Sequence, residues 1–266
     1  MKKRSIFVLF MIFVLVLVEC QKTNIRYSNQ INHAVYEAFQ DCKDIEKVRN
    51  WSNEFNSIAL DYSFPQGFVS MPREGVDYDS LLMDTKQEAY SYLQWLNCRL
   101  TAFTLLKDKI HTNNAGTSTD TWLMFDLEAI DTVSEYAFLK RDQKKFETVF
   151  NNVSVHGNDT VKEQAQTIQQ AWNDRGIKIH SNHLSLITVW VHSPEDQVRF
   201  VGHTGVLAHT KEGLLFLEKY SSMAPFQATY FQNRSELKKY LLSRKDLYGD
   251  SKELKPIVME NKIIVG

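Results

Sequence analysis

Cysteine is scarce in this chain of 266 residues: only Cys20, Cys42 and Cys98 are present, so no framework of several disulfides can hold the fold together. An excess of positive charge is also missing. Setting residues 1–19 aside removes three basic side chains and one acidic one, and takes the formal net charge from −1 to −3. Phosphate backbones call for a basic patch, and no basic run is visible, which argues against nucleic acid as a partner. The apolar run at residues 6–18 has 13 residues, short of the roughly 20 that a membrane-spanning helix needs. No internal repeat or low-complexity tract is evident, which excludes a repeat architecture. What is there is a 43% hydrophobic and 12% aromatic composition, enough for the well-filled core of one large domain.

Lys2, Lys3 and Arg4 precede the apolar run and Cys20 follows it, the arrangement of a secretory signal, so the mature chain is expected to be exported. Leu17-Val18-Glu19-Cys20 resembles a bacterial lipobox, in which the cysteine is lipidated and becomes the new N-terminus; Glu19 stands where that pattern has a small residue. The resemblance implies a lipid on Cys20 and anchorage to the outer face of the cell membrane. An uncleaved anchor and a cleaved soluble form remain open. Residues 21–30 are polar and read as a tether.

The expected fold class is α+β, a single domain over residues 31–266 with a helical N-terminal part at 31–80. Val35, Phe39, Ile45, Val48, Trp51, Phe55 and Ile58 recur at threes and fours, which predicts two helices broken near Asp41. Residues 61–79, with Pro65, Gly67, Pro72 and Gly75, form a loop ending in Asp77-Tyr78-Asp79; an aspartate capping a helix explains that cluster better than a metal ligand set. Residues 81–110 carry the strongest helical stripe, Leu93, Leu96, Leu100, Phe103, Leu106 and Ile110. Asn97 is a good N-cap and a poor interior residue, so a break is expected there, with Cys98 opening a buried helix whose positive end would favour a thiolate. Residues 122–130 read as a strand or a short helix, while 140–150 and 161–172 read as helices. Strands are expected at 186–191 and 224–231, a surface helix at 235–244 and a terminal strand at 256–265.

Between these lie two apolar runs, Val198 to Leu207 and Leu214 to Tyr220, flanking an expected turn at 208–213. His203 stands between Gly202 and Gly205, and Glu218 interrupts the second run. Polar residues that share a face of neighbouring strands can meet, and a carboxylate on one imidazole nitrogen raises the basicity of the other. A cysteine at a helix start, a histidine on a strand 105 residues later and a polar residue on the next strand follow the chain order of a papain-like hydrolase. Each residue also has an ordinary reading: Cys98 as a small core side chain, His203 as a satisfied half-buried one, and Glu218 paired with Lys219 or Arg199 on a solvated face. Cys42 and Cys98 could instead form one disulfide.

Gly202-His203-Thr204-Gly205-Val206-Leu207, followed by Leu214 to Glu218, resembles the histidine strand pair of NlpC-type cell-wall cysteine peptidases. Asn97-Cys98-Arg99, that strand pair and Pro225-Phe226-Gln227-Ala228-Thr229 together resemble a family of Gram-positive lipoproteins filed as a domain of unknown function. The resemblance implies a papain-like core with Cys98 as nucleophile, His203 as general base and Glu218 as the orienting group. Gln227 is a second candidate for that third place, where NlpC-type enzymes carry His, Asn or Gln. Asn97 is expected to help hold an oxyanion. Trp95, Tyr220, Phe226 and Tyr230 are expected to line the cleft. A peptide or peptidoglycan-derived substrate, no metal or cofactor and a monomeric state complete the expectation. The alternative is a non-catalytic envelope lipoprotein that binds a peptide or wall fragment in the same cleft.

Overall fold

The computed structural model describes residues 25–113, 121–247 and 252–266. The signal segment, the lipidation residue Cys20 and the first part of the tether lie outside the described residues. Among those described, eight α-helices and an antiparallel sheet of nine strands form an α+β fold. The sheet's strands, numbered in chain order, are β1 (Arg26–Ser28), β2 (Val69–Ser70), β3 (Val153–Ser154), β4 (Leu184–Ser193), β5 (Val198–Thr210), β6 (Gly213–Lys219), β7 (Phe226–Phe231), β8 (Ile257–Glu260) and β9 (Ile263–Ile264). They lie in the order β9-β8-β4-β5-β6-β7-β1-β2, with β3 paired to β5.

The central strands are covered on both sides. Leu215 and Leu217 of β6 join the larger core, and Leu214 and Phe216 join a second one with Ile187, Val189, Leu207 and Phe231. Burial of both faces explains why these strands read as near-continuous apolar runs. The larger core takes α1 (His33–Ala38), α2 (Ile45–Ile58), α3 (Tyr90–Leu93), α4 (Cys98–Leu106), α5 (Met124–Thr132), α6 (Lys140–Phe150) and α7 (Val161–Asp174). The second core is closed by α8 (Arg234–Ser243), through Leu237, Tyr240 and Leu241.

Several expectations need correction. Residues 26–28 are not tether: they pair with Ala228, Thr229 and Tyr230 of β7. Within the 31–80 part, helix ends at Ile58, and the chain then carries short strands and loop. The break expected at Asn97 is present, but most of residues 81–97 is not helical. Leu82–Met83 pairs with Ala59–Leu60, and only α3 precedes the capped start at Cys98. Residues 208–210 continue β5, because Ala208 is buried opposite Leu215, and the turn is reduced to Lys211 and Glu212. The C-terminal segment is a hairpin, β8 and β9, turned at Asn261, whose φ of 52° suits an asparagine.

Candidate active site

Cys98 owes its position to the residue before it. Asn97 is extended, with φ −134° and ψ −179°, and its Oδ1 accepts the N–H groups of Arg99 (2.9 Å) and Leu100 (3.0 Å), so the helix starts at Cys98. Asn97 Nδ2 donates to Asp126 Oδ1 at 2.9 Å. The side chain is thus committed to capping and anchoring, and the donor left for an oxyanion is the Cys98 backbone N–H, one of the orphaned first-turn groups of the helix. Asp126, wholly buried on α5, also receives Arg99 Nη2 at 2.6 Å, while Arg99 Nη1 donates to the Val201 carbonyl at 2.9 Å. These bonds lock the start of α4 onto β5 at Val201, two residues before His203 and four before Gly205.

His203 is aimed by a bulge. Val189 of β4 faces His203 but Trp190 faces Val201, so Gly202 is the extra residue and the side-chain alternation flips there. Val201 therefore shares the larger core with Val206, whereas His203 turns to the other face, with Leu207. A Cβ on Gly202 would come within 2.5 Å of Val191 Cγ2, and one on Gly205 within 2.7 Å of the Leu217 carbonyl oxygen. Each glycine flanking the histidine answers a close approach of the adjacent strand.

Glu218 meets His203 on that face: Nε2 of the ring lies 2.5 Å from Glu218 Oε2, with the two side chains 2% and 0% exposed. Glu218 is not on a solvated face and touches neither Lys219 nor Arg199. Its Oε2 also accepts from Arg244 Nη1 at 2.8 Å, and its Oε1 from the Tyr240 hydroxyl at 2.7 Å. Arg244 Nη1 lies 3.2 Å from His203 Nε2, and its Nη2 donates to the Tyr220 carbonyl (2.9 Å) and to Asp246 (2.6 Å). Behind Tyr240, Gln227 Nε2 donates to the tyrosine oxygen at 2.8 Å and Gln227 Oε1 accepts from the Tyr78 hydroxyl at 2.7 Å. Asn29 Nδ2 donates to Tyr78 at 2.6 Å and so begins the row. Gln227 is therefore separated from the imidazole by Tyr240 and Glu218, and Glu218 is the residue that bonds the ring.

The electrostatics follow from this packing. Burial alone would raise the Cys98 thiol, but its hydrogen bond to His203, the charge of that ring and the nearby Arg99 outweigh burial and the opposing Asp126, and hold the thiol below its usual value. Burial and Arg244 act to lower His203, yet the bonds to Cys98 and Glu218 prevail and raise it. Glu218 is lowered against its own burial by His203 and Arg244. Since Nε2 faces Glu218, Nδ1 is left for the thiol. Cys98 is the partly exposed member of the group, while its two partners are buried.

Of the other residues expected at the site, Tyr220 is half-buried over the Arg244 guanidinium at 3.7 Å, and Trp95 is partly buried just before the Asn97 cap. Phe226 and Tyr230 are core residues, 1% and 4% exposed; with both faces of β7 covered, its aromatics pack inward instead of lining a cleft. Asp77 Oδ1 accepts from the Asp79 N–H at 2.8 Å and caps a turn, not a helix, and it is Tyr78 of that cluster that reaches the site. Cys42 and Cys98 are both free. Among the described residues no cluster of His, Cys, Asp or Glu is placed to hold a metal ion. Sequence reasoning missed Asp126, Tyr240 and Arg244, the first reaching the site from α5 and the other two from α8 and its C-terminal end.

A family model, Domain of unknown function (DUF4300), matches residues 23–265. The chain belongs to this family. The match takes in the helical N-terminal part and the whole sheet, so Cys98, His203, Glu218 and Arg244 all lie within the family's own domain. No curated protein and no solved structure matches the chain.

Proposed function

We propose that this DUF4300 chain is a papain-like, NlpC-type cysteine hydrolase that cleaves amide bonds in peptides of the bacterial cell envelope. The observation that carries the reading is the placement of Cys98 at the start of α4, where it and His203 shift each other's ionisation, with the ring held by Glu218 through Nε2. In the reaction, the Cys98 thiolate adds to the substrate carbonyl and the Cys98 N–H bonds the oxyanion. The imidazolium gives its Nδ1 proton to the leaving amine as the C–N bond breaks, which leaves a thioester. Neutral His203 then takes a proton from water, whose oxygen attacks the thioester and releases the carboxylic acid and the thiol.

The setting proposed is the outer face of a Gram-positive cell membrane, reached by the signal at residues 1–19 and held by a lipid on Cys20. Among the described residues no helix is long and apolar enough to cross a membrane. A monomer without cofactor suffices for this chemistry. A second reading, binding of a wall fragment without cleavage, draws on the closed setting of the pair, in which only Cys98 reaches solvent.

The test is release of peptide fragments from purified peptidoglycan by the parent protein and by Cys98→Ala. The expected loss is on the order of 10⁴-fold, with an unchanged circular dichroism spectrum. Equal release by both proteins would sink the hydrolase; no release by either, with wall fragments retained by both, would favour binding.

A further inference from the structure

A charged third group creates a difficulty that a neutral amide would not. A lone buried carboxylate beside an imidazole stabilises its cation strongly, and a ring held permanently protonated cannot take the proton from water in the second half of the reaction proposed above. The structure answers this with a second cation on the same oxygen. His203 Nε2 and Arg244 Nη1 both lie on Glu218 Oε2, at 2.5 and 2.8 Å, and are themselves 3.2 Å apart. All three side chains are almost wholly buried.

We infer that Glu218 and Arg244 act as one neutral hydrogen-bonding unit, in which Arg244 is a positioning residue that sets the proton affinity of His203. This rests on the proposed role of His203 as acid and base. The guanidinium cannot lose its proton, so its charge is constant across the working pH range. It is fixed at every side: Nη2 on Asp246 and the Tyr220 carbonyl, Nε on Asp246 at 3.1 Å, and its plane against the Tyr220 ring. Asp246, 49% exposed at its side chain, balances part of the charge from the solvent side, so the buried carboxylate and guanidinium stay matched.

The groups facing His203 are few. Cys98 comes from α4, Glu218 from β6 and Arg244 from the end of α8; Tyr240 of α8 reaches the ring through Glu218 Oε1, and Asp246 acts through Arg244. Lys219, the next residue on β6, points to the opposite face, where its Nζ donates to the carbonyls of Ser221, Ser222 and Ala224. From the Nε2 side Glu218 raises the ring and Arg244 lowers it, while the charge of Asp246 reaches the ring from behind Arg244. Neutral His203 keeps its remaining proton on Nε2, donated to Glu218, and leaves Nδ1 free on the sulfur side.

The experiment is an NMR titration of His203 in protein labelled at the histidine Cε1, with the signal assigned by its loss in His203→Asn. Arg244→Met should raise the titration midpoint by about one pH unit or more, and Glu218→Gln should lower it by a similar amount. Glu218→Gln combined with Arg244→Met replaces a neutral pair by a neutral amide, and should return the midpoint to within about 0.3 pH unit of the parent. Arg244→Lys keeps the charge and should keep the midpoint, which separates charge from fold should Arg244→Met unfold. A midpoint unmoved in Arg244→Met, or a double variant no closer to the parent than the single ones, overturns the inference. Because no substrate enters this titration, loss of the hydrolase reading through Cys98→Ala would leave its outcome unchanged.

Discussion

Cys42 and Cys98 carry the same functional group, both free, and they have opposite chemistry. Cys42 lies between α1 and α2, 1% exposed. Burial pushes its thiol up to about 12; Lys109 opposes this, and Asp41 and Asp44 add smaller pushes upward. Burial raises the Cys98 thiol too, but Cys98 begins a helix and faces a ring that gains charge as the sulfur does, and it ends below the usual value. Removal from water by itself makes a cysteine inert; reactivity needs a partner for which ionisation of the sulfur is favourable.

Alkylation by iodoacetamide at neutral pH, followed by peptide mapping, makes this comparison in one sample. A separation of at least three pH units is a thousandfold difference in thiolate, which the weaker intrinsic nucleophilicity of the more acidic thiol cuts to about fortyfold. Cys98 should therefore be modified at least about forty times faster than Cys42, and equal rates would erase the distinction. His203→Ala should narrow the gap from one side only, slowing Cys98 by about tenfold at pH 6 and leaving Cys42 as it was. The smallest effect runs the other way. Cys42→Ser places a hydroxyl in an apolar core and should cost about 1–3 kcal/mol in urea unfolding, whereas Cys98→Ser, at a partly exposed helix start, should cost less than about 0.5 kcal/mol.

The parts of the site that were legible in the sequence are those fixed by local rules. An asparagine before an apolar run caps a helix, which located Cys98. The glycines around His203 and the lone carboxylate in the next apolar strand marked the histidine pair. Arg244, Tyr240 and Asp126 carried no such mark. Each sits on or at the end of a helix whose sequence shows an ordinary polar face, and each acquires its role only when that helix is laid on the sheet. Phe226 and Tyr230 failed for a related reason, since a strand covered on both sides shows no polar alternation to say which aromatics face a cleft. Lys219 beside Glu218 invites an ion pair on paper, but neighbours on a strand point to opposite faces, and this amine is held by backbone carbonyls above the ring of Phe55.

Strand β1 pairs with β7 from Arg26 onward, and only six residue steps separate Arg26 from Cys20. Fully extended, that length of chain reaches about 20 Å. A lipid on Cys20 would therefore act as a short leash, holding the β1 end of the sheet within that distance of the bilayer, and whatever the candidate site meets would be a molecule still close to the membrane surface.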